Sequence, residues 1–251
     1  MNRGPIFDRS VQLGWLDETV RLRREAGSDA RTALEMWMRD RIQSESGREK
    51  TVTLLARIWL EPPSSATEMI AWATEQLPAF ADPRPLHIGA MLATYPFFGD
   101  ACAATGRQLA LAHVVHTTDL KGRLRKRWGD RGAIDVGAQS VVRTLRALAV
   151  LVGRPGRTDS TRGEHVPVPP SLTLWIAHAL SLTRGTGEVD KVALESSPEL
   201  FMLELASLQP DGYPFGDVFT EGGGRTVFRA RTTPTNRSAT QQSIPGLGRT
   251  M

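Results

Sequence analysis

The run SVVRTLRALAVLVGRPG, residues 140–156, decides how the chain is read. Its first half has helical spacing. Ala138, Val141 and Val142, Leu145 and Leu148 fall on one apolar stripe, which leaves Gln139, Ser140, Arg143, Thr144 and Arg146 off it. The period then changes. Ala149 to Val152 is a short apolar run that suits a strand, and Gly153-Arg154-Pro155-Gly156-Arg157 is turn chemistry. A polar stretch follows, and then a second short apolar run, His165 to Pro169. Two such runs around a Gly/Arg/Thr-rich loop predict a β-hairpin with a long tip.

Working upstream, TTDLKGRLRKRW, residues 117–128, predicts another helix. Leu120, Leu124 and Trp128 stand at i, i+4 and i+8, and Thr117 or Thr118 is placed to cap it. Lys121, Arg123, Arg125, Lys126 and Arg127 occupy its other faces, and Gly129 to Gly132 reads as a turn. The predicted order is helix, turn, helix, hairpin. The whole unit is basic. From Lys121 to Arg162 there are 11 Lys and Arg against 3 Asp, a surplus of +8, which leaves −4 for the rest of a chain whose total is +4. Positive charge gathered in one segment is the electrostatic footprint of a polyanion partner.

These residues resemble a winged helix-turn-helix DNA-binding domain, over about a fifth of the chain. One departure is that Ala149-Val150 stands where many members have a Gly ending the second helix, so the pattern leaves the start of the wing open. The resemblance implies duplex DNA as partner. Lys121, Arg123, Arg125, Lys126 and the wing residues Arg154, Arg157 and Arg162 are expected to hold phosphates. On the second helix, Gln139, Ser140, Arg143, Thr144 and Arg146 are expected to face DNA. Arg pairs bidentately with guanine, Gln with adenine, and Ser and Thr with phosphates or either base type.

A wider resemblance takes in ALEMWMRDRIQSESGREKTVTLLARIWL, residues 33–60, and LHIGAMLATYPFFGDACAATGRQLAL, residues 86–111. In pattern and order, though without an invariant motif, these are similar to the small DNA-binding component of BREX phage-defence systems. That resemblance implies a helical N-terminal half before the winged helix, no catalysis, and other subunits of a defence or regulatory complex as further partners.

The rest of the chain completes a mostly α architecture: an N-terminal helical bundle, a winged helix-turn-helix, C-terminal helices and a tail. The expected division is 1–95 helical, 96–184 winged helix, 185–220 a helical extension, and 221–251 a basic disordered tail. Helices are predicted over Ser10–Ala26, from Ser28 or Asp29 onward, Gly47–Leu60, after a capping-box pattern at Ser65–Glu68, Leu86–Tyr95, Phe97–Leu111 and Ser171–Thr183. Ser197-Pro198-Glu199 reads as the start of another, running to Leu208. A hairpin around Gly222–Gly224 is expected between Phe219 and Arg231, with disorder from Thr232. Trp15, Trp37, Trp59, Trp72, Phe97 and Phe98 sit at core spacing.

Other function classes find little support. No stretch approaches the roughly 20 apolar residues of a membrane span, the N-terminus lacks a secretory apolar core, and the single Cys102 suits a reducing compartment, so a cytoplasmic protein is expected. His113 and His116 near Cys102 lack a fourth metal ligand, and Cys102 lies in a small-residue helix. His87 and His178 sit on apolar helices. Gly222-Gly-Gly-Arg225 lacks the Lys and Ser/Thr of a phosphate loop, and the pairs Glu195/Glu199 and Glu35/Asp40 lack nuclease context. No enzyme and no cofactor are expected. The alternative function is a protein-interaction adaptor that docks a larger enzyme without touching DNA.

Overall fold

The apolar spacing of the first hundred residues is met by helices, as seen in a computed structural model that describes residues 4–154, 157–208 and 213–231. They are α1 (Leu13–Ala26), α2 (Ala30–Met38), α3 (Glu45–Trp59), α4 (Thr67–Gln76), α5 (Arg84–Thr94) and α6 (Pro96–Ala112). Ser44 caps α3, its hydroxyl accepting from the Gly47 N–H at 3.3 Å. The capping box expected at Ser65 does not form. Ser64–Ala66 is a 3-10 turn, and α4 begins at Thr67, whose hydroxyl donates to the Pro63 carbonyl at 3.2 Å.

Helix α5 is buried from Pro85 to Thr94, so it lies in the centre of the molecule. Against it runs α9 (Pro170–Arg184). Gly89 makes the close approach feasible, because a Cβ there would stand 2.3 Å from Nε1 of Trp175. Trp59, Phe97 and Phe98 are fully buried, and Trp15, Trp37 and Trp72 pack against the same cluster. His87 links α5 to α1 through Nε2, 2.8 Å from Asp17. Burial pushes its imidazole pKa below the ordinary value, and Asp17 opposes that only in part.

Between α6 and α9 the chain forms β1 (Val114–His116), α7 (Thr117–Trp128), α8 (Gly132–Ala147), β2 (Leu151–Val152) and β3 (Asp159–Arg162). The strands make an antiparallel sheet of order β1-β3-β2. Just beyond the end of α8, Ala149 is held in the left-handed region at φ 61°. The Val150 N–H turns back to the Leu145 carbonyl at 3.0 Å, a closure usually supplied by Gly.

The second hairpin strand is therefore not His165–Pro169 but Asp159–Arg162. Gly163 is the reason the hairpin closes early. It passes against the end of α8, donating to the Val150 carbonyl at 3.0 Å, while Glu164 donates to the Ala149 carbonyl at 2.9 Å. A Cβ on Gly163 would lie 2.2 Å from that Ala149 oxygen. Val166–Val168, released from the hairpin, becomes β4 and pairs in parallel with β6 (Leu203–Leu205).

The C-terminal part is less helical than the sequence predicts. The helix expected over Ser197–Leu208 is a 3-10 turn at Pro198–Leu200 followed by β6, because Leu203 and Leu205 pair with β4. Helix α10 (Lys191–Glu195) is short, and β5 (Glu188–Asp190), β7 (Gly216–Thr220) and β8 (Thr226–Ala230) form a sheet of order β5-β8-β7. The hairpin across Gly222–Gly224 is present, so 221–231 belong to the folded part and not to a tail. Phe228 is buried there, its ring centroid 6.0 Å from that of His178. The expected disorder from Thr232 lies outside the described residues. No helix among them is long and apolar enough to cross a membrane.

Candidate nucleic-acid interface

The stripe that places α8 in the core also fixes what it shows to solvent. Its inner side (Ile134, Ala138, Val141, Leu145) is fully buried. A second side is covered by the N-terminal segment and α6, where Gly137 leaves room for Ile6 and for Phe97 of α6, and the Val11 N–H donates to the Thr144 hydroxyl at 3.0 Å. What remains open is one edge, with Val136 and Arg143 exposed and Gln139 half-buried between them.

That edge forms one wall of a groove of about 230 Å³. Helix α7 supplies Thr117, Thr118 and Lys121, helix α8 supplies Gln139, Arg143 and Arg146, and the hairpin supplies Arg157 and Thr158. Four of these side chains are cationic, and no carboxylate lines the space. The structure therefore brings together Lys121, Gln139, Arg143, Arg146 and Arg157, which the sequence singles out from three separate elements.

The cations differ in how free they are. Arg143 has no side-chain hydrogen bond or ion pair among the described residues. Lys121 keeps a loose approach to Asp135, at 3.9 Å. Arg157 lies 3.2 Å from Asp159, whose carboxyl is held below the usual carboxylate range by its own backbone N–H first and by Arg157 second. Arg146 is committed inward. Its Nη2 donates to the Asp159 carbonyl at 2.7 Å and to the Ser160 hydroxyl at 2.8 Å, and its Nε donates to the same hydroxyl at 3.1 Å. Gly153 makes way for that guanidinium, since a Cβ there would stand 2.3 Å from Nη2. Arg146 thus forms the floor of the groove and ties the hairpin to α8.

Other expected contact residues stand elsewhere. Ser140 and Thr144 are 4% and 0% exposed, so neither faces a base; both lie under the N-terminal segment or the core, and Thr144 is occupied by Val11. Arg125 turns toward α8, donating to Asp135 from Nε at 2.9 Å, with Asp130 at 3.3 Å. These bonds, Asp135 foremost, raise its pKa further and spend part of its charge locally. Arg123 lies on the flank of α7 that carries Arg127, which pairs with Asp100 of α6. It faces away from the groove. Lys126 is exposed, with no ion pair among the described residues. Arg154 is exposed at the hairpin tip, as the sequence implies. Arg162 is not at the tip. It pairs in register with Leu151 at the hairpin base and donates to the Phe201 carbonyl at 2.6 Å, with its guanidinium over the Phe201 ring.

One part of the site carries no strong sequence signal. Strand β1 is three residues long, and it aligns Thr117 so that both its N–H and its hydroxyl donate to the Thr158 carbonyl, at 2.9 and 2.7 Å. Thr117 and Thr158 thereby close one end of the groove. The alternation in Val114-Val115-His116 is too short to separate from the preceding helix.

Elsewhere, burial pushes the Cys102 thiol pKa well up, with Glu199 adding to the shift. No group of three or more His, Cys, Asp or Glu among the described residues is placed to hold a metal ion. Comparison with protein families, curated proteins and solved structures gives no match.

Proposed function

We propose that this chain is a DNA-binding protein that contacts duplex DNA through a basic winged helix-turn-helix. In this reading α6, β1, α7, α8, β2 and β3 are the winged unit, α8 is its recognition helix and the β2–β3 hairpin its wing. Two features support it: the order helix, strand, helix, helix, strand, strand, and a three-stranded sheet in which β3 lies between β1 and β2. The observation that carries the proposal is the groove, where Lys121, Arg143, Arg146 and Arg157 converge without a lining carboxylate beside the exposed edge of α8.

An α-helix with its side chains is about 10–12 Å across and fits a major groove about 12 Å wide. With α8 inserted along Val136, Gln139 and Arg143, Gln139 meets base edges, where it suits adenine, and Arg143 turns to the backbone phosphate beside them. Lys121 and Arg157 then flank a backbone, and Arg154 on the wing reaches an adjacent one. The role assigned is non-catalytic, that of an accessory or regulatory subunit of a bacterial system of the phage-defence kind, with the remaining helices available to partner subunits.

Fluorescence anisotropy with a duplex of about 30 base pairs tests the assignment of α8. Arg143→Glu combined with Lys121→Glu reverses two charges in the groove and is expected to weaken binding by on the order of a hundredfold at low salt. Unchanged affinity removes α8 from the interface. Absence of any wild-type shift, together with co-purification with a neighbouring gene product, favours the adaptor role instead.

A further inference from the structure

We infer that the groove between α7, α8 and the hairpin is a site for a single phosphate group. The inference rests on the DNA-binding reading but goes further, because it assigns a discrete anion pocket in place of a diffuse basic face. The pocket is concave, and its polar lining is almost all donor: Thr118, Lys121, Gln139, Arg143, Arg146 and Arg157. A phosphate oxygen needs such donors, and Arg offers them in planar pairs.

The geometry divides the labour. Arg146 is pinned by the Asp159 carbonyl and the Ser160 hydroxyl, so its charge is fixed at the floor without any ligand. Arg143 is exposed and has no partner among the described residues, so it is available to close over an anion. Lys121 and Arg157 stand on opposite walls. Each has one carboxylate neighbour outside the lining, Asp135 at 3.9 Å and Asp159 at 3.2 Å, so neither is neutralised from within. Fixed positive charge in a concavity is repulsive to itself, and a phosphate relieves that repulsion. The phosphate has two chemical sources: a backbone phosphate of duplex DNA, or a free phosphate-bearing small molecule.

The experiment uses the full chain and two probes. The first is inorganic phosphate, titrated against the protein by isothermal calorimetry or by 31P chemical shift, with sodium chloride of matched ionic strength as the control. Saturable binding, weakened about tenfold or more in Arg143→Ala, is the expected result. Arg143 has no side-chain hydrogen bond or ion pair among the described residues, so this variant is expected to leave the fold intact, and a melting curve verifies that. The second probe is a bound duplex in which one backbone phosphate at a time is replaced by an uncharged methylphosphonate. If the source is DNA, one position costs as much affinity as Arg143→Ala, and the two losses do not add. If the source is a free ligand, phosphate binds saturably while no single methylphosphonate matters. No saturable phosphate binding, together with methylphosphonate losses spread evenly along the duplex, overturns the pocket and leaves the DNA-binding reading standing. Saturable phosphate binding with no duplex binding overturns the DNA reading and keeps the pocket.

Discussion

Arg146→Ala is expected to loosen the hairpin before it affects anything else. The wild-type guanidinium makes three good hydrogen bonds, two to the Ser160 hydroxyl at 2.8 and 3.1 Å and one to the Asp159 carbonyl at 2.7 Å. Hydrogen bonds to a charged group contribute about 1.5–3 kcal/mol each, but these share one donor group and do not add. Ser160 is 2% exposed and has no other side-chain partner among the described residues, so truncation also strands a buried hydroxyl. Against this stands about 2 kcal/mol of Arg rotamer entropy regained. The net loss of stability is placed at about 2–3 kcal/mol. Lys at this position keeps the charge but lacks the planar pair of donors, and recovers about half of the loss. Urea unfolding gives the magnitude, and amide exchange on β2 and β3 gives the location. A loss below about 0.5 kcal/mol, or unchanged protection of the hairpin amides, refutes the role given to Arg146.

Gly153→Ala places a Cβ 2.3 Å from the same guanidinium and is expected to reproduce the Arg146→Ala exchange pattern at smaller cost. Ala149→Gly relieves a left-handed residue at the end of α8 and is expected to raise stability by about 0.5–1 kcal/mol, read as a higher denaturation midpoint. His178 is nearly buried, 2.7 Å from the Tyr213 hydroxyl, and desolvation pushes its pKa down to about 4. An unfolded chain with a histidine near 6.5 takes up that proton first, so stability falls as pH drops from about 6.5 to about 4, by up to about 3 kcal/mol. His178→Gln should flatten that part of the stability–pH curve, and an unaltered slope would count against the assignment.

Much of this fold is legible because the helices are amphipathic. Leu120, Leu124 and Trp128 on α7, and Val141, Leu145 and Leu148 around α8, mark buried faces that the structure keeps. The failures share a physical cause. Ser140 and Thr144 are polar, so a pattern places them in solvent, yet α8 has two covered faces and the N-terminal segment supplies Thr144 with a donor. Strand β3, Asp159-Ser-Thr-Arg162, turns only Ser160 inward and so has no apolar alternation to announce it. Val166 and Val168 carry that alternation and mimic the missing hairpin strand, but they pair with β6, a partner 37 residues away in register, which local pattern does not reveal. Of the candidate site, the charge cluster is readable from composition. Which cations converge is not, because Arg125 and Arg162 are drawn off by tertiary partners, Asp135 and the Phe201 carbonyl.

The proposed function has a focused set of cations meeting a nucleic-acid backbone. The most direct measurement is Kd for duplex DNA across salt, from about 50 to about 200 mM. One phosphate held by Lys121, Arg143 and Arg157 and a second met by Arg154 give a slope of log K against log salt of about −2, an affinity loss on the order of tenfold over that range. A slope near zero, or no binding at the lowest salt, contradicts it.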